Sequence, residues 1–485
     1  MRVRFEQQLK LGQLRIEDLE LRKKTRDKVE ELASALHLLY CTPEYNERLF
    51  EILERYINKD KKRTGRKGMD LWVIFVLSQV RLTLNASYEF VYNLANNHKA
   101  IRWVMGIETE SGFSRQEFEY QNIYDNLNLM SDEMLREINA LVVEFGHKKV
   151  FKKKETAGLD LKSDSFVVEG NVHFPTDYNL LWDSARKILD NVSKLKKKYR
   201  LRNWRKIKNW RSELKGLMRE LGKASSSGGR NKPQRVKSAA LSYLTKSRAL
   251  LQKITKDLPG FPINDTEDLI IILSLEYFIS MLEKHIDLVN RRIIKGETIP
   301  HEEKVFSIFE TYTEWIKKGK MRPSVEIGKK LTITTDQHDL IVDYYLMEHE
   351  QDRDILITIA GRVLKTHKVN SWSFDKGYWN HENRALLQME VPNVIMPKLG
   401  KKNKQEEELE KSYTFKRLKN KHSAIESNIN ELEHRGLDRC PDRGITNFTR
   451  YIGLAICAYN LKKIGAQILK EERIRLKQQK QARAA

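Results

Sequence analysis

Asp164, Asp375 and Glu426 are the residues whose types could do chemistry together. Asp164 lies in TAGLDLKSDSFVVEGNVHFPTD, Asp375 closes the apolar run VNSWSF just before Lys376 and Gly377, and Glu426 follows Ile425 in NKHSAIESNINELEHRGLDRC. Three carboxylates gathered in one crevice would repel one another and resist burial unless cations shared them. Oxygen ligands favour hard ions, Mg²⁺ with Mn²⁺ as a substitute. Two such ions about 4 Å apart can activate a water or a 3′-hydroxyl and stabilise the leaving oxygen of a phosphodiester. Asp160 competes with Asp164 for the first place, since an Asp near a strand end is often a turn or cap. Glu431 and Glu433 compete with Glu426.

Residues 164 and 375 stand 211 positions apart, so elements must bring them together. Alternating, β-branched residues from about 156 predict a strand or hairpin closing on a Pro-Thr-Asp turn, and KKLTITTDQHDLIVDYYLMEH predicts two strands around a turn at residues 336–339. A helix over 353–366, the strand ending at Asp375, a helix over 380–389 and a short strand VPNVIMP follow. Residues 398–411 read as a charged loop or helix. Ile425, Ile429 and Leu432 stripe the next helix, and YIGLAICAYNLKKIG forms a last apolar one before a basic tail expected to fray. The layout is mixed α/β, and open α/β sheets collect strand-end side chains in one crevice.

Two helical regions surround this core. Leu71, Ile74, Phe75, Leu77 and Val80, then Tyr88, Val91 and Leu94, mark residues 1–150 as all-α. Leu181, Ala185, Ile188, Leu189, Val192 and Leu195 open a second helical stretch that contains an apparent linker, ASSSGGRNKPQ. The expected organisation is an N-terminal DNA-binding region over 1–150, a core in two parts over 151–177 and 323–470, inserted helices over 178–322, and a basic tail over 471–485.

The partner is read from charge. Lys and Arg number 89 against 66 Asp and Glu, a net +23, and a phosphate backbone returns counterion-release free energy to each cation that neutralises it. Residues 61–70, KKRTGRKGMD, offer Arg63, Arg66 and Lys67 as a basic arm. Residues 194–211 hold ten basic residues in eighteen: Lys197, Lys198, Arg202 and Arg205 suit phosphates, and Trp204 and Trp210 suit unpaired bases. The same block also suits a solvated helix with its tryptophans packed inward. His422, one turn before Glu426, and Arg435 are further DNA-contact candidates. Three cysteines without a CxxC pattern suit a reducing cytosol and no structural zinc, and neither a signal peptide nor an apolar run of membrane-spanning length is visible, so a cytoplasmic protein away from membranes is expected.

DSFVVEGNVHFPTD, FDKGYWNHENRALL and HSAIESNINELEHRGLDRC, followed by FTRYIGLAICAYNLKKIG, closely resemble bacterial insertion-sequence transposases of the DDE class. TGRKGMDLWVIFVLSQV and SIFETYTEWIKKGKMRPSVEIGKK resemble the same family. The resemblance implies a ribonuclease-H-like core interrupted by a helical insertion, with Asp164, Asp375 and Glu426 as a metal-binding catalytic triad. It implies Mg²⁺-dependent cleavage and strand transfer at the terminal inverted repeats of double-stranded DNA. Pairing two ends implies a homodimer or larger synaptic complex. The chain departs from many relatives, which carry Tyr, Arg, Glu and Lys at spacings of three, four and seven; here those positions read Lys419, His422, Glu426 and Glu433. A metal-dependent nuclease of the same fold and a non-catalytic DNA-binding protein are the rival readings.

Overall fold

A computed structural model describes residues 1–5, 8–21, 27–59, 67–154, 157–317 and 325–484, without the side chains of residues 202 and 484. The chain divides into two compact units, Met1–Asn171 with Ile316–Ala485, and Val172–Trp315. The inserted unit therefore begins and ends a few residues before the expected 178–322.

The first unit holds the sheet. Its strands are β1 (Leu159–Glu169), β2 (Glu314–Lys317), β3 (Val325–Thr335), β4 (Ile341–Leu346), β5 (Val369–Phe374) and β6 (Asn393–Ile395). The order is β2–β3–β1–β5–β6, with β4 also paired to β3. β1 is central: it runs antiparallel to β3 and parallel to β5, and β5 runs parallel to β6. Residues 157–177 thus contain one long strand, and Thr176 of the Pro-Thr-Asp turn caps the next helix by accepting from the Asn179 amide. The β3–β4 turn is as expected, because Asp336 Oδ1 accepts from the amides of His338 and Leu340.

One face of the sheet buries Leu159, Leu161, Trp372 and Phe374 against Ile355, Leu356 and Ile359 of the helix Asp352–Val363. The N-terminal helices do not stand apart. Lys28–Tyr40, Leu71–Thr83 and Asp132–Phe145 each pack on the long helix Ile445–Ala484, within the same unit as the sheet. That helix continues through the segment expected to fray, since residues 470–484 contain Lys, Arg, Glu, Gln, Ile, Leu and Ala and no Gly or Pro, so intrinsic propensity favours a helix throughout. Gly465 lets it approach: a Cβ there would fall 1.7 Å from the Glu31 carbonyl oxygen. Gly465→Ala should force the two helices apart and cost about 1–3 kcal/mol of stability, read by denaturant melts.

The second unit packs four helices, Asp177–Tyr199, Ile207–Ser226, Lys232–Asp257 and Thr266–Val289, around one apolar core. The expected linker is only the short break between the second and third of these, and Pro233 sits in the first turn of the third.

Candidate functional site

The register explains how two distant aspartates meet. β1 and β5 pair in parallel up to Ser163↔Phe374, so the next residue on each chain is Asp164 and Asp375. Successive strand side chains alternate faces, which puts Asp164 on the same side as Asp160 and Lys162. The helix Ala424–Leu432 packs on β1, and Tyr413–His422 packs on β5. A polar bolt holds the former down: Lys162 Nζ lies 3.2 Å from Asp339 Oδ1, Asn428 Nδ2 donates to that oxygen at 3.3 Å, and the Tyr459 hydroxyl donates to Asn428 Oδ1 at 3.0 Å. Ile425 and Asn428 point inward and leave Glu426 exposed at the rim.

Electrostatics record the gathering. The Asp164 carboxyl is pushed up to about 7 from an ordinary 3.8, first by burial and then by the negative charges of Asp375, Asp352 and Glu426, although the Ser165 amide donates to its Oδ1 at 2.7 Å. Asp375 and Glu426 are exposed side chains. All the donors are carboxylate oxygens, the set a hard divalent cation prefers. Among the described residues, however, no group of three or more His, Cys, Asp or Glu side chains is gathered tightly enough to hold an ion. Cavities of about 510 and 600 Å³ lie elsewhere, and neither is lined by these three residues.

The alternatives have other work. Asp160 accepts from the Ser371 hydroxyl at 2.8 Å, near the opposite end of the parallel pair. Burial would raise the Glu431 carboxyl, but Lys462 at 2.6 Å and Lys463 at 3.1 Å outweigh it and hold it near 2, an ion cluster that locks the helix to Ile445–Ala484. Glu433 stands at the start of the helical turn Glu433–Leu437, beyond the end of the helix that carries Glu426.

The expected DNA contacts divide. Arg63 and Arg66 lie outside the described residues, as does the side chain of Arg202; Lys67 is about half exposed, 3.9 Å from Asp70. Lys197 and Arg205 are exposed on the helical unit. Trp204 is a correction: it is only 1 % exposed inside the helical core, with Lys253 Nζ 4.6 Å from its ring centre, so its ring cannot stack on a base. Trp210 is half-buried under Lys246, and Lys198 is held by Asp265 and Asp268. Arg435 is a second correction, since it is buried and donates to the Thr83 carbonyl at 2.6 Å, leaving no surface for phosphate.

His422 is bound inward, with Nδ1 3.0 Å from Ser373 Oγ. Burial lowers its pKa to about 4; Asp375 opposes the shift and Lys162 adds to it. A neutral ring is a poor phosphate clamp. The His422 ring resonances should therefore stay fixed from pH 8 to 5.5 in an NMR titration, whereas a ring with an ordinary value would move through its midpoint near 6.5.

Asp352 was not singled out from sequence. It opens the helix Asp352–Val363, accepts from the Ser165 hydroxyl at 2.6 Å and is ion-paired with Lys330. The only local signal is the capping pair Gln351 and Asp354, which marks the helix start and says nothing of what Asp352 touches.

Residues 292–461 match the family model described as Transposase DDE domain. The matched span contains Asp375 and Glu426 and begins after Asp164. No curated protein matches the chain, and no solved structure does. No helix among the described residues is long and apolar enough to cross a membrane.

Proposed function

From the match of residues 292–461 to the Transposase DDE domain, we propose that this chain is an insertion-sequence transposase of the DDE class that binds the inverted-repeat ends of its element and cuts and transfers DNA strands at Asp164, Asp375 and Glu426. The observation that carries the reading is the parallel register of β1 and β5, which sets Asp164 beside Asp375 under the helix of Glu426. The strand order, with a central β1 antiparallel to β3 and parallel to β5, supports a ribonuclease-H-like core.

Asp164 stands on β1 and Asp375 directly follows the end of its neighbour β5, so they would fix the position of the scissile phosphate, while Glu426 would close the site from its helix. Mg²⁺ or Mn²⁺, as one or two ions held by these oxygens, would supply Lewis acidity and a lowered pKa for the attacking water or 3′-hydroxyl. Asp375 and Glu426 are exposed side chains that can swing inward to meet such a cation. No covalent intermediate with the protein is needed.

Double-stranded DNA fits the net charge of +23. Lys477, Lys480 and Arg483, exposed and one turn apart along the end of the long helix, are suited to a phosphate backbone. Replacing all three with Ala should lower the slope of log K against log salt for end binding by about 2 to 3. Two ends must be paired, which calls for a homodimer or larger complex.

The reading is tested with a linear fragment carrying the element ends, Mg²⁺, wild-type protein and Asp375→Asn. Cleavage at the ends by wild type alone supports it; binding without cleavage by both in Mg²⁺ and Mn²⁺ overturns it. Pre-cleaved ends with a target plasmid separate strand transfer from plain nuclease action.

A further inference from the structure

Asp352 lies between the two strand ends that carry the site. Its Oδ1 accepts the Ser165 hydroxyl at 2.6 Å, one residue after Asp164, and its Oδ2 receives the Lys330 ammonium from β3. Two residues after Asp375, a Cβ added to Gly377 would stand 2.9 Å from the same Oδ2. The chain of Asp375–Gly377 therefore rests directly on the Asp352 carboxylate. Tyr378, wholly buried, closes the group by donating to Thr332 Oγ1 at 3.2 Å.

We infer that Asp352 is a positioning residue: through Ser165 on one side and the backbone at Gly377 on the other, it sets the separation of the Asp164 and Asp375 carboxylates. The inference rests on the cation-binding reading of those carboxylates given above. Three observations favour it over an ordinary first-turn acid. First-turn acids usually stand in solvent and act on the helix dipole alone, but the Asp352 side chain is only 15 % exposed. Both its oxygens are engaged by protein partners, Ser165 and Lys330. Its helix is anchored by Ile355, Leu356 and Ile359 in the core beneath β5, so its position is fixed independently of the site. Lys330 offsets part of the fourth negative charge, which still adds to the repulsion felt by Asp164.

Partners that orient metal ligands are worth about 10- to 100-fold in metal affinity or activity. The test is calorimetric titration of the full-length protein with Mn²⁺ alone, for the parent, Asp352→Asn and Ser165→Ala, each with a thermal melt. Ser165→Ala keeps every charge and removes only the tether, so it separates positioning from simple electrostatics. Both variants should bind Mn²⁺ about 10-fold or more weakly while melting close to the parent. End cleavage by the same variants should need correspondingly more Mg²⁺ for half-maximal rate, with unchanged DNA affinity. If the parent binds Mn²⁺ and both variants bind it equally well, the role of Asp352 is overturned and the triad reading stands. If the parent takes up no Mn²⁺, the triad reading falls, and the positioning role falls with it.

Discussion

Asp375→Asn should reduce end cleavage by about 10³-fold or more, leave DNA binding intact, and raise the melting temperature of the metal-free protein at pH 8. The loss follows from removing a carboxylate at the centre of the site. The gain in stability follows from Asp164, whose carboxyl is pushed up to about 7, chiefly by burial and secondly by Asp375. A carboxyl raised in the folded state binds its proton more tightly there than in the unfolded chain. Its contribution is complete below about pH 4 and is lost as pH climbs to about 7, up to about 4 kcal/mol in all. Asn at 375 removes one repulsive charge and should recover on the order of 1 kcal/mol at pH 8; Asn at 164 should recover more, since it also removes the buried ion. A divalent cation would do the same job by ligation, so the Mg²⁺-induced rise in melting temperature should grow between pH 5 and 8 for wild type and vanish for both variants. Melts with EDTA or Mg²⁺ at the two pH values measure all of this. Equal melting temperatures for the parent and both variants in EDTA at pH 8 would sink the electrostatic account.

Asp442→Ala should cost about 3–5 kcal/mol, the largest single loss expected away from the apolar core. Arg81, 3 % exposed on the helix Leu71–Thr83, donates to both oxygens of Asp442, at 2.7 and 3.1 Å, and Arg450 lies 3.6 Å from the same carboxylate. The guanidinium also sits 4.1 Å from the Tyr88 ring centre. Removing the carboxylate leaves two buried arginines facing one another without an anion. The double variant Arg81→Met with Asp442→Leu should recover part of the loss, because Arg81 is then no longer orphaned and only Arg450 is left without its anion. Urea unfolding of the single and double variants gives the coupling. A double variant as unstable as the sum of its parts would show that the pair acts through packing alone.

The three carboxylates were singled out through the family resemblance, and two of them, Asp375 and Glu426, also sit beside strong local patterns. The run Val369–Phe374 reads as a buried strand, and Ile425 with Leu432 marks the inner side of the Glu426 helix. Trp204 shows the limit. A basic, aromatic block reads the same whether its rings face solvent or a core, and only the packed helices of the inserted unit place that ring inside. Arg435 was hidden similarly, since its acceptor on Thr83 is 352 residues away. Asp352 escaped notice because Ser165 lies 187 positions off and Lys330 on a different strand. The separateness of an N-terminal region was inferred from a change of periodicity, but periodicity cannot tell that three of its helices share a core with Ile445–Ala484.

The insertion of Val172–Trp315 between β1 and its partners has a consequence for biogenesis. β1 ends at Glu169, while β3 begins at Val325 and β5 at Val369. At about 5–20 residues per second, translation leaves β1 without either neighbour for roughly ten seconds or more. The inserted helices form a compact unit of their own and can collapse in that interval, whereas β1 must wait with two bare edges, the state most prone to join another nascent chain. Asp160, Lys162 and Asp164 put charge on three alternate positions in the first half of that waiting strand, the placement that deters such pairing. The acid that burdens the finished fold is thus also a guard during its making.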